Sequence, residues 1–228
     1  DLYTVFEDTA PEAMLSELDD EVRWIKEYST ARLHKNEKAT TFWMPFETMA
    51  KPRFAIEALV QYIGATLWDR WADGSFAPGD RVPKERLAGL EWWVQSRGSS
   101  EPIGFHYDKD ESKANMNRMV TPVLSSVFYL DECGAPTLVL NQTTINGNDE
   151  EPTVPVQGAL SYPRRGKYLI FRGDLMHGVP PELRDPSCTN ERRTVLVNFW
   201  PVEAPPIPPN CVELSDEELQ TQMPSLWR

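Results

Sequence analysis

The stretch Gly104-Phe105-His106-Tyr107-Asp108 places an imidazole and a carboxylate two residues apart, directly after the apolar residue Ile103. We predict a β-strand over residues 103–107, because apolar and aromatic residues dominate this stretch. Side chains at positions i and i+2 point to the same face of a strand, so His106 and Asp108 would project side by side. Two such side chains are well suited to bind one metal ion.

A third ligand could come from His177, which lies in Met176-His177-Gly178-Val179. The chain contains three histidines, so two of them in this arrangement are informative. Two histidines and one carboxylate on one face of an octahedral metal leave the opposite face open, which is the ligand set of mononuclear non-haem Fe(II) oxygenases. Asp174, shortly before His177, is either a hydrogen-bond acceptor for that imidazole or a plain turn residue.

Short strand-like runs lie on both sides of this stretch. Between Leu90 and Trp200, β-branched and aromatic runs alternate with turn signals such as Arg97-Gly98-Ser99-Ser100. About seven or eight short strands with turns between them are typical of a sandwich or a barrel. The predicted strands include residues 90–97, 103–107, 120–130, 137–140, 167–171 and 193–200. Polar loops are predicted over 108–118 and 141–151, and the proline-rich stretch 152–163 is either irregular or edge-like.

Two helices are predicted ahead of the strands. Apolar residues recur at helical spacing over residues 11–28 and again over 52–71, and each segment begins with a proline, which suits a first helical turn. We therefore expect the helices to pack on the outside of a sheet. The whole chain is expected to be a single domain, 1–228, made of a helical support region over 1–89, a β core over 90–200 and a C-terminal tail over 201–228.

The composition excludes some classes of partner. The formal net charge of −12 repels nucleic acids and anionic membranes, so we expect neither as a partner. No apolar run approaches the roughly 20 residues of a membrane span. The oligomeric state leaves no signal in the sequence.

The three cysteines are odd in number and widely spread, without a C-x-x-C motif. We interpret them as free thiols in a reducing compartment, and we expect a cytoplasmic or other intracellular location. No signal peptide is visible. The sequence begins at Asp1 rather than at methionine, which leaves open whether residues precede it.

The motifs resemble those of the Fe(II)/2-oxoglutarate-dependent oxygenases, with prolyl-hydroxylase-like features. The signature of that family is H-x-D/E, a distal His, and an Arg followed two residues later by Ser or Thr. The matching residues are His106-Tyr107-Asp108, His177 and Arg192-Arg193-Thr194, within a similarity that covers approximately residues 90–200. The resemblance implies a double-stranded β-helix, a jelly-roll or cupin-like barrel with helices packed outside, and it implies Fe(II), 2-oxoglutarate and O2 as cofactors and co-substrates.

The resemblance also assigns residues to 2-oxoglutarate. An arginine suits its far carboxylate, because the guanidinium is planar, permanently charged and able to bind both oxygens. Arg192 and Thr194 share one face of the predicted last strand and Arg193 has the opposite parity, although a shifted register would exchange the two arginines. Tyr129 lies where some prolyl hydroxylases have a tyrosine that binds the same carboxylate; alternatively, it is a core aromatic residue.

The substrate is less well indicated. Trp93, Gln95 and Arg97 share one face of a predicted strand that precedes the metal-binding stretch, and they could line the mouth of the barrel. Arg97 or Arg118 could bind an anionic group of the substrate; alternatively, the tryptophan belongs to the core and the arginines to the surface. A small molecule or a peptide is the expected substrate.

The function implied is oxidation of an unactivated C–H bond, with CO2 and succinate as co-products. The outcome could be hydroxylation, cyclisation or desaturation. Two alternatives stay open at this point. One is a catalytically inactive β-helix that serves as a binding or scaffold protein, and the other is a zinc or manganese hydrolase that uses the same ligands.

Overall fold

The computed structural model describes residues 3–7, 9–34, 41–46, 51–72, 86–115, 118–144, 150–202, 211–212 and 216–217. Most of the expected C-terminal tail lies outside these residues. None of the described helices is both long enough and apolar enough to cross a membrane.

Strands outnumber helices in the described chain. The strands are β1 (Tyr3–Phe6), β2 (Thr41–Pro45), β3 (Leu87–Arg97), β4 (Ile103–His106), β5 (Leu124–Tyr129), β6 (Thr137–Thr144), β7 (Glu150–Glu151), β8 (Gly158–Ser161), β9 (Tyr168–Arg172), β10 (Leu175–Val179), β11 (Arg192–Pro201) and β12 (Cys211–Val212). The α-helices are α1 (Glu12–His34), α2 (Ala55–Ala72) and α3 (Glu111–Ala114), and a 3-10 helix covers Pro181–Leu183.

These strands form two sheets. The larger has seven strands in the order β1-β9-β5-β11-β3-β2-β12, and the smaller has β4-β10-β6-β7 with β8 also paired to β6. Within the described residues every pairing is antiparallel except that of β12 with β2. The architecture is mainly β with helices on the outside and is the double-stranded β-helix that the sequence predicts.

Strand β11 shows how sequence alternation builds the two layers. Val195, Val197 and Phe199 are buried on one face, where they belong to the core shared with the helices. Arg192 and Thr194 have the opposite parity and turn toward the smaller sheet. A second apolar cluster fills the space between the sheets and consists of Val127, Tyr129, Val139, Leu169, Phe171 and Leu175.

Helix α1 packs on the larger sheet through an apolar stripe of Leu15, Leu18, Val22 and Ile25, each at most 4% exposed. The helix continues to His34, so the prediction that it ends near residue 28 is wrong. Neither glycine nor proline interrupts the polar residues that follow Tyr28. Since polarity alone does not end a helix, only a breaker or a cap would have stopped it.

Helix α2 begins at Ala55 because α1 supplies its N-terminal cap. The Glu21 carboxylate accepts hydrogen bonds from the backbone N–H groups of Ala55 and Ile56, both at 2.7 Å. These N–H groups have no partner within their own helix, and the positive end of the helix dipole favours an anion there. The start at Ala55, later than the predicted residue 52, is therefore set by a tertiary contact.

Several strand boundaries also differ from the predictions. Strand β4 ends at His106, one residue early, and β6 extends to Thr144 into a segment predicted to be a loop. Strand β1 was not expected, and β8 lies within residues 152–163, which were predicted to be irregular or edge-like. Both are short and each pairs with a longer strand, so their stability comes from the sheet and not from their own composition.

The cysteines contradict the prediction of three free thiols. Cys133 follows β5 and Cys188 precedes β11, and these two strands are neighbours in the larger sheet. The two loops therefore meet at one end of the strand pair, where the cysteines form a disulfide with their Cα atoms 5.5 Å apart. Cys211 is free. The cysteine count consequently gives no support to a reducing compartment.

Candidate metal centre

Two histidines face each other across a strand pair. His106 is the last residue of β4, and the antiparallel register places it directly opposite His177 of β10. Their ring centroids lie 4.4 Å apart. His177 is buried and packs on the ring of Phe171, whereas His106 is exposed. The pairing of β4 with β10 thus brings together two residues that are distant in the sequence.

Both imidazoles are oriented by the same local hydrogen bond. Nδ1 of His106 lies 2.8 Å from the backbone oxygen of Gly104, and Nδ1 of His177 lies 3.0 Å from that of Leu175. A carbonyl oxygen can only accept, so Nδ1 carries the proton and Nε2 presents a lone pair. Both Nε2 atoms face Asp108, and a neutral imidazole in this tautomer is a metal ligand.

The hypothesis that Asp174 orients His177 is wrong. Asp174 forms an ion pair with Arg172 in the turn between β9 and β10, and the carbonyl of Leu175 takes the place at Nδ1. The alternative interpretation of Asp174 as a turn residue is therefore the right one. Burial lowers the pKa of His177, which favours its neutral form.

Asp108 completes the cluster from beyond the end of its strand. Its Oδ1 lies 3.8 Å from Nε2 of His106, and its Oδ2 lies 3.7 Å from Nε2 of His177. Because β4 ends at His106, the alternation of side chains along a strand does not explain the position of Asp108. Its carboxylate instead accepts a hydrogen bond from the hydroxyl of Ser125 on β5, with Oγ and Oδ2 2.7 Å apart.

The donor set fits a divalent transition metal. One ligand atom from each of His106, Asp108 and His177 lies within 4.8 Å of the others, close enough to share one ion. Two neutral imidazole nitrogens and one carboxylate oxygen are the donors of the non-haem Fe(II) facial triad. These three residues are the ones that the sequence analysis selected, and their role as ligands remains a prediction.

A cavity that is partly open to solvent lies beside the three residues, between the two sheets. Its apolar walls come from both sheets, with Trp93, Val127 and Leu196 on one side and Ile103 and Val179 on the other. Half of the lining residues are polar or charged, namely Gln95, His106, Asp108, Thr137, His177 and Arg192. The cavity runs from the exposed His106 to buried residues, one of which carries a positive charge.

That charge belongs to Arg192, which is 3% exposed. Its Nη2 donates to the Thr137 hydroxyl at 2.9 Å, and its guanidinium lies 5.3 Å from the centre of the Tyr129 ring. Within the described residues, Nε of Arg192 and Oγ1 of Thr194 are both buried without a hydrogen-bond partner. Burial lowers the pKa of Arg192, yet a guanidinium stays protonated in proteins. Leaving a buried cation and a buried hydroxyl without partners is energetically costly.

Arg193 is oriented differently from its neighbour. Its guanidinium pairs with Asp131 at 2.6 Å and with Asp19 of α1 at 2.9 Å, on the helix-facing side of the sheet. Tyr129 is fully buried, and its hydroxyl lies 2.8 Å from the Thr137 hydroxyl and 3.0 Å from the backbone oxygen of Ser161. Since that hydroxyl already has two partners, a direct bond from Tyr129 to a ligand would require an exchange.

The residues predicted to bind the substrate separate into two groups. Trp93 and Gln95 line the cavity, and Oε1 of Gln95 is buried without a partner among the described residues. Arg97 is paired with Glu101, and Arg118 is exposed on the surface; neither lines the cavity. The structure therefore gives no support for a substrate contact by either arginine.

Sequence reasoning missed three residues of the site. Ser125 could have been noticed as a hydroxyl in an otherwise apolar strand, but Ser126 beside it looks the same. Thr137 was included only as the first residue of a predicted strand. Gly134 has φ +112° and lies against the side chain of Arg192, which no local pattern indicates.

Comparisons with known proteins identify the fold. No protein-family model matches the sequence, and no curated protein sequence matches it. Among solved structures, apo HygX from Streptomyces hygroscopicus superposes with a TM-score of 0.51 and 13% identity, over 88% of this chain and 82% of HygX.

Two further structures are similar to this chain. HygX with nickel and 2-oxoglutarate bound has a TM-score of 0.49 and 14% identity, over 88% of this chain and 83% of its own. A Pseudomonas putida prolyl-4-hydroxylase has a TM-score of 0.49 and 14% identity, over 87% and 84%. At such identities the similarity to apo HygX establishes the double-stranded β-helix fold, as the sequence motifs had led us to expect.

Proposed function

We propose that this protein is an Fe(II)- and 2-oxoglutarate-dependent oxygenase that oxidises a C–H bond of a small molecule or a peptide side chain. The observation that carries this proposal is the buried guanidinium of Arg192, which has no ion pair among the described residues and lines the same cavity as the cluster of His106, Asp108 and His177. In this proposal a carboxylate binds beside Arg192, and a metal ion binds at the other end of the cavity, between His106, Asp108 and His177.

His106, Asp108 and His177 would hold the metal. With 2-oxoglutarate bound beside it, Fe(II) would supply O2-dependent oxidation of a substrate C–H bond, with CO2 and succinate as co-products. The protonated Nδ1 of each histidine stays on its backbone carbonyl, so both Nε2 atoms remain available. Three protein ligands would leave coordination positions of the ion available to other ligands.

Arg192 and Thr194 would receive the far carboxylate of 2-oxoglutarate. Nε–H of Arg192 and the hydroxyl of Thr194 can both donate, and both are without partners among the described residues. Thr137 and the Tyr129 ring would hold the guanidinium in position. The ion pairs of Arg193 with Asp131 and Asp19, on the other face of the sheet, support the choice of Arg192 over Arg193 for this role.

The substrate would enter beside the exposed His106. Trp93 and the apolar wall residues would contact its hydrocarbon part and exclude water from the reacting carbon. The net charge of −12 disfavours nucleic acids, so a small molecule or a peptide remains the proposed class. Hydroxylation is the simplest outcome, and cyclisation or desaturation would depend on how this wall positions the substrate.

The two alternative functions each leave part of the site unexplained. A zinc or manganese hydrolase would use the three ligands but would have no role for a buried Arg192 whose Nε has no partner among the described residues. An inactive scaffold protein would need neither the oriented imidazoles nor the buried cation. Burying an unpaired charge is costly, so a ligand-binding role for Arg192 is the more economical explanation.

The test is an anaerobic titration of the folded protein with Fe(II) and then with 2-oxoglutarate. We expect a weak visible charge-transfer band to develop only when both are present. The Asp108→Ala variant should not form it. Succinate release in air, screened against amino acids, other small acids and peptides, then identifies the substrate.

Two results would count against the proposal. The first is a metal-loaded, folded protein that shows no such band at saturating 2-oxoglutarate. The second is hydrolytic turnover with Zn(II) or Mn(II) in the absence of 2-oxoglutarate, which would support the hydrolase alternative.

A further inference from the structure

Asp108 differs from the two histidines in how its backbone is held. His106 and His177 lie in paired strands of the smaller sheet, whose ladder hydrogen bonds fix their backbones. Asp108 lies two residues beyond the end of β4, outside any helix or strand. Strand pairing therefore positions two of the three ligands, and the third needs another anchor.

Ser125 supplies that anchor from the opposite sheet. It lies on β5 in the larger sheet, is 1% exposed, and turns toward the interior beside Asn198 of β11. Its hydroxyl donates to Oδ2 of Asp108 at 2.7 Å. Among the described residues, this is the one hydrogen bond that the Asp108 side chain receives, and it connects the two sheets at the metal centre.

The hydrogen bond also determines how the carboxylate is turned. With Oδ2 held by Ser125, Oδ1 lies toward His106 and Oδ2 toward His177, at 3.8 and 3.7 Å from the respective Nε2 atoms. A carboxylate on irregular backbone could otherwise rotate freely about its terminal bond. Charge-assisted hydrogen bonds to a carboxylate are among the stronger ones, particularly when buried.

We propose that Ser125 is a positioning residue of this centre, which holds the Asp108 carboxylate in the orientation that binds the metal. The inference rests on the metal centre proposed above and assigns a role that no sequence motif indicates. Hydrogen-bond partners of metal ligands raise metal affinity by about 10- to 100-fold, and we expect an effect of this size from Ser125.

Ser126 provides an internal control. It is the next residue on β5, is equally buried, and also donates one hydrogen bond, to the backbone oxygen of Val197 at 2.7 Å. Its side chain points to the other face of the sheet, toward the helices. Replacing Ser125 or Ser126 by alanine therefore deletes one buried hydrogen bond from the same strand. Only the Ser125 hydrogen bond is made to Asp108.

The experiment measures the affinity for Ni(II) alone by calorimetry, and in parallel the thermal unfolding of each metal-free protein. We expect Ser125→Ala to bind Ni(II) about 10- to 100-fold more weakly than the wild type. Ser126→Ala should bind it as the wild type does and should lose only stability. Ser125→Thr, which retains a hydroxyl, should keep most of the affinity even if the alanine variant folds poorly.

The inference is overturned if Ser125→Ala binds Ni(II) like the wild type, or if Ser126→Ala loses as much affinity. Failure of the metal centre itself would look different, since then neither the wild type nor Asp108→Ala would bind Ni(II). The affinity of the metal alone thus separates the role of Ser125 from the function proposed for the site.

Discussion

Gly134 lies directly against the side chain of Arg192. A β-carbon at Gly134 would be 2.7 Å from Cβ of Arg192 and 2.9 Å from its Cδ. The Cβ of Arg192 is fixed by the backbone of β11 and cannot move aside. The φ of Gly134 is +112°, a conformation that residues with a side chain rarely adopt. The turn after β5 therefore packs against the aliphatic part of the Arg192 side chain.

The first prediction follows from this contact. Gly134→Ala should displace Arg192 and lower the affinity for 2-oxoglutarate about 10-fold, and it should destabilise the protein by roughly 1–3 kcal/mol through backbone strain. Calorimetric titration of 2-oxoglutarate into the Ni(II)-loaded protein measures the affinity. Gly98→Ala is the control, because a β-carbon at Gly98 would meet no atom within 4 Å. Equal affinities in the two variants would contradict the prediction.

The second prediction compares the adjacent arginines. Arg192→Ala should lower 2-oxoglutarate affinity by about 100-fold, since it removes a buried charge from the ligand carboxylate. Arg193→Ala should leave that affinity unchanged and cost only about 1 kcal/mol of stability, because its ion pairs with Asp131 and Asp19 are partly exposed. The same calorimetric assay and urea unfolding provide both values. The assignment is reversed if Arg193→Ala is the variant that loses 2-oxoglutarate.

The third prediction concerns the disulfide between Cys133 and Cys188. Alkylation of the unfolded, non-reduced protein should label Cys211 alone, and all three cysteines should react after reduction. The bridge closes a loop over a sequence separation of 55, so its loss should cost roughly 2–4 kcal/mol. Thermal unfolding with and without reductant measures this cost. Three labelled cysteines before reduction would show that the bridge does not form.

The fourth prediction concerns Glu21, whose pKa burial raises to about 7 despite its two backbone hydrogen bonds. In the unfolded chain a glutamate ionises near 4.3, so between about pH 4.5 and 7 the folded protein holds a proton that the unfolded protein has lost. The contribution of Glu21 to the free energy of unfolding is fully present below about pH 4.5. It falls by roughly 3 kcal/mol as the pH rises to about 7.

Glu21→Gln removes this ionisation, so its unfolding free energy should depend less on pH than that of the wild type. Urea unfolding at about pH 5 and about pH 8 gives the comparison. Glu27→Gln, an exposed position on the same helix, should keep the pH dependence of the wild type. A wild type that becomes more stable with rising pH over this range would contradict the raised pKa.

Local patterns predicted the architecture because they report which face of each element is buried. The helical spacing of Leu15, Leu18, Val22 and Ile25 placed α1 against the sheet, and the alternation along β11 gave opposite directions to Arg192 and Arg193. Helical spacing and strand alternation both depend only on residues that are close together in the sequence. The selection of His106, Asp108 and His177 likewise rested on the chemistry of their side chains, which needs no coordinates.

The reason given for His106 and Asp108 was nevertheless incorrect, since the strand ends before Asp108. The two side chains meet because a hydroxyl from the other sheet holds the carboxylate, not because of strand alternation. The continuation of α1 to His34 and the start of α2 at Ala55 were missed for a related reason. Helix boundaries depend on caps, and here the cap of α2 is Glu21 from another helix.

The sequence by itself determined the class of fold, the faces of its main elements and the residue types suited to a metal and an anion. The tertiary structure alone decided that His177 lies opposite His106, that Ser125 holds Asp108, that Gly134 packs on Arg192 and that Cys133 pairs with Cys188. Periodicity is a local property of the chain, so it can be read from neighbouring residues. Contacts between distant segments depend on the register and packing of all strands together, and no short stretch of sequence contains that information.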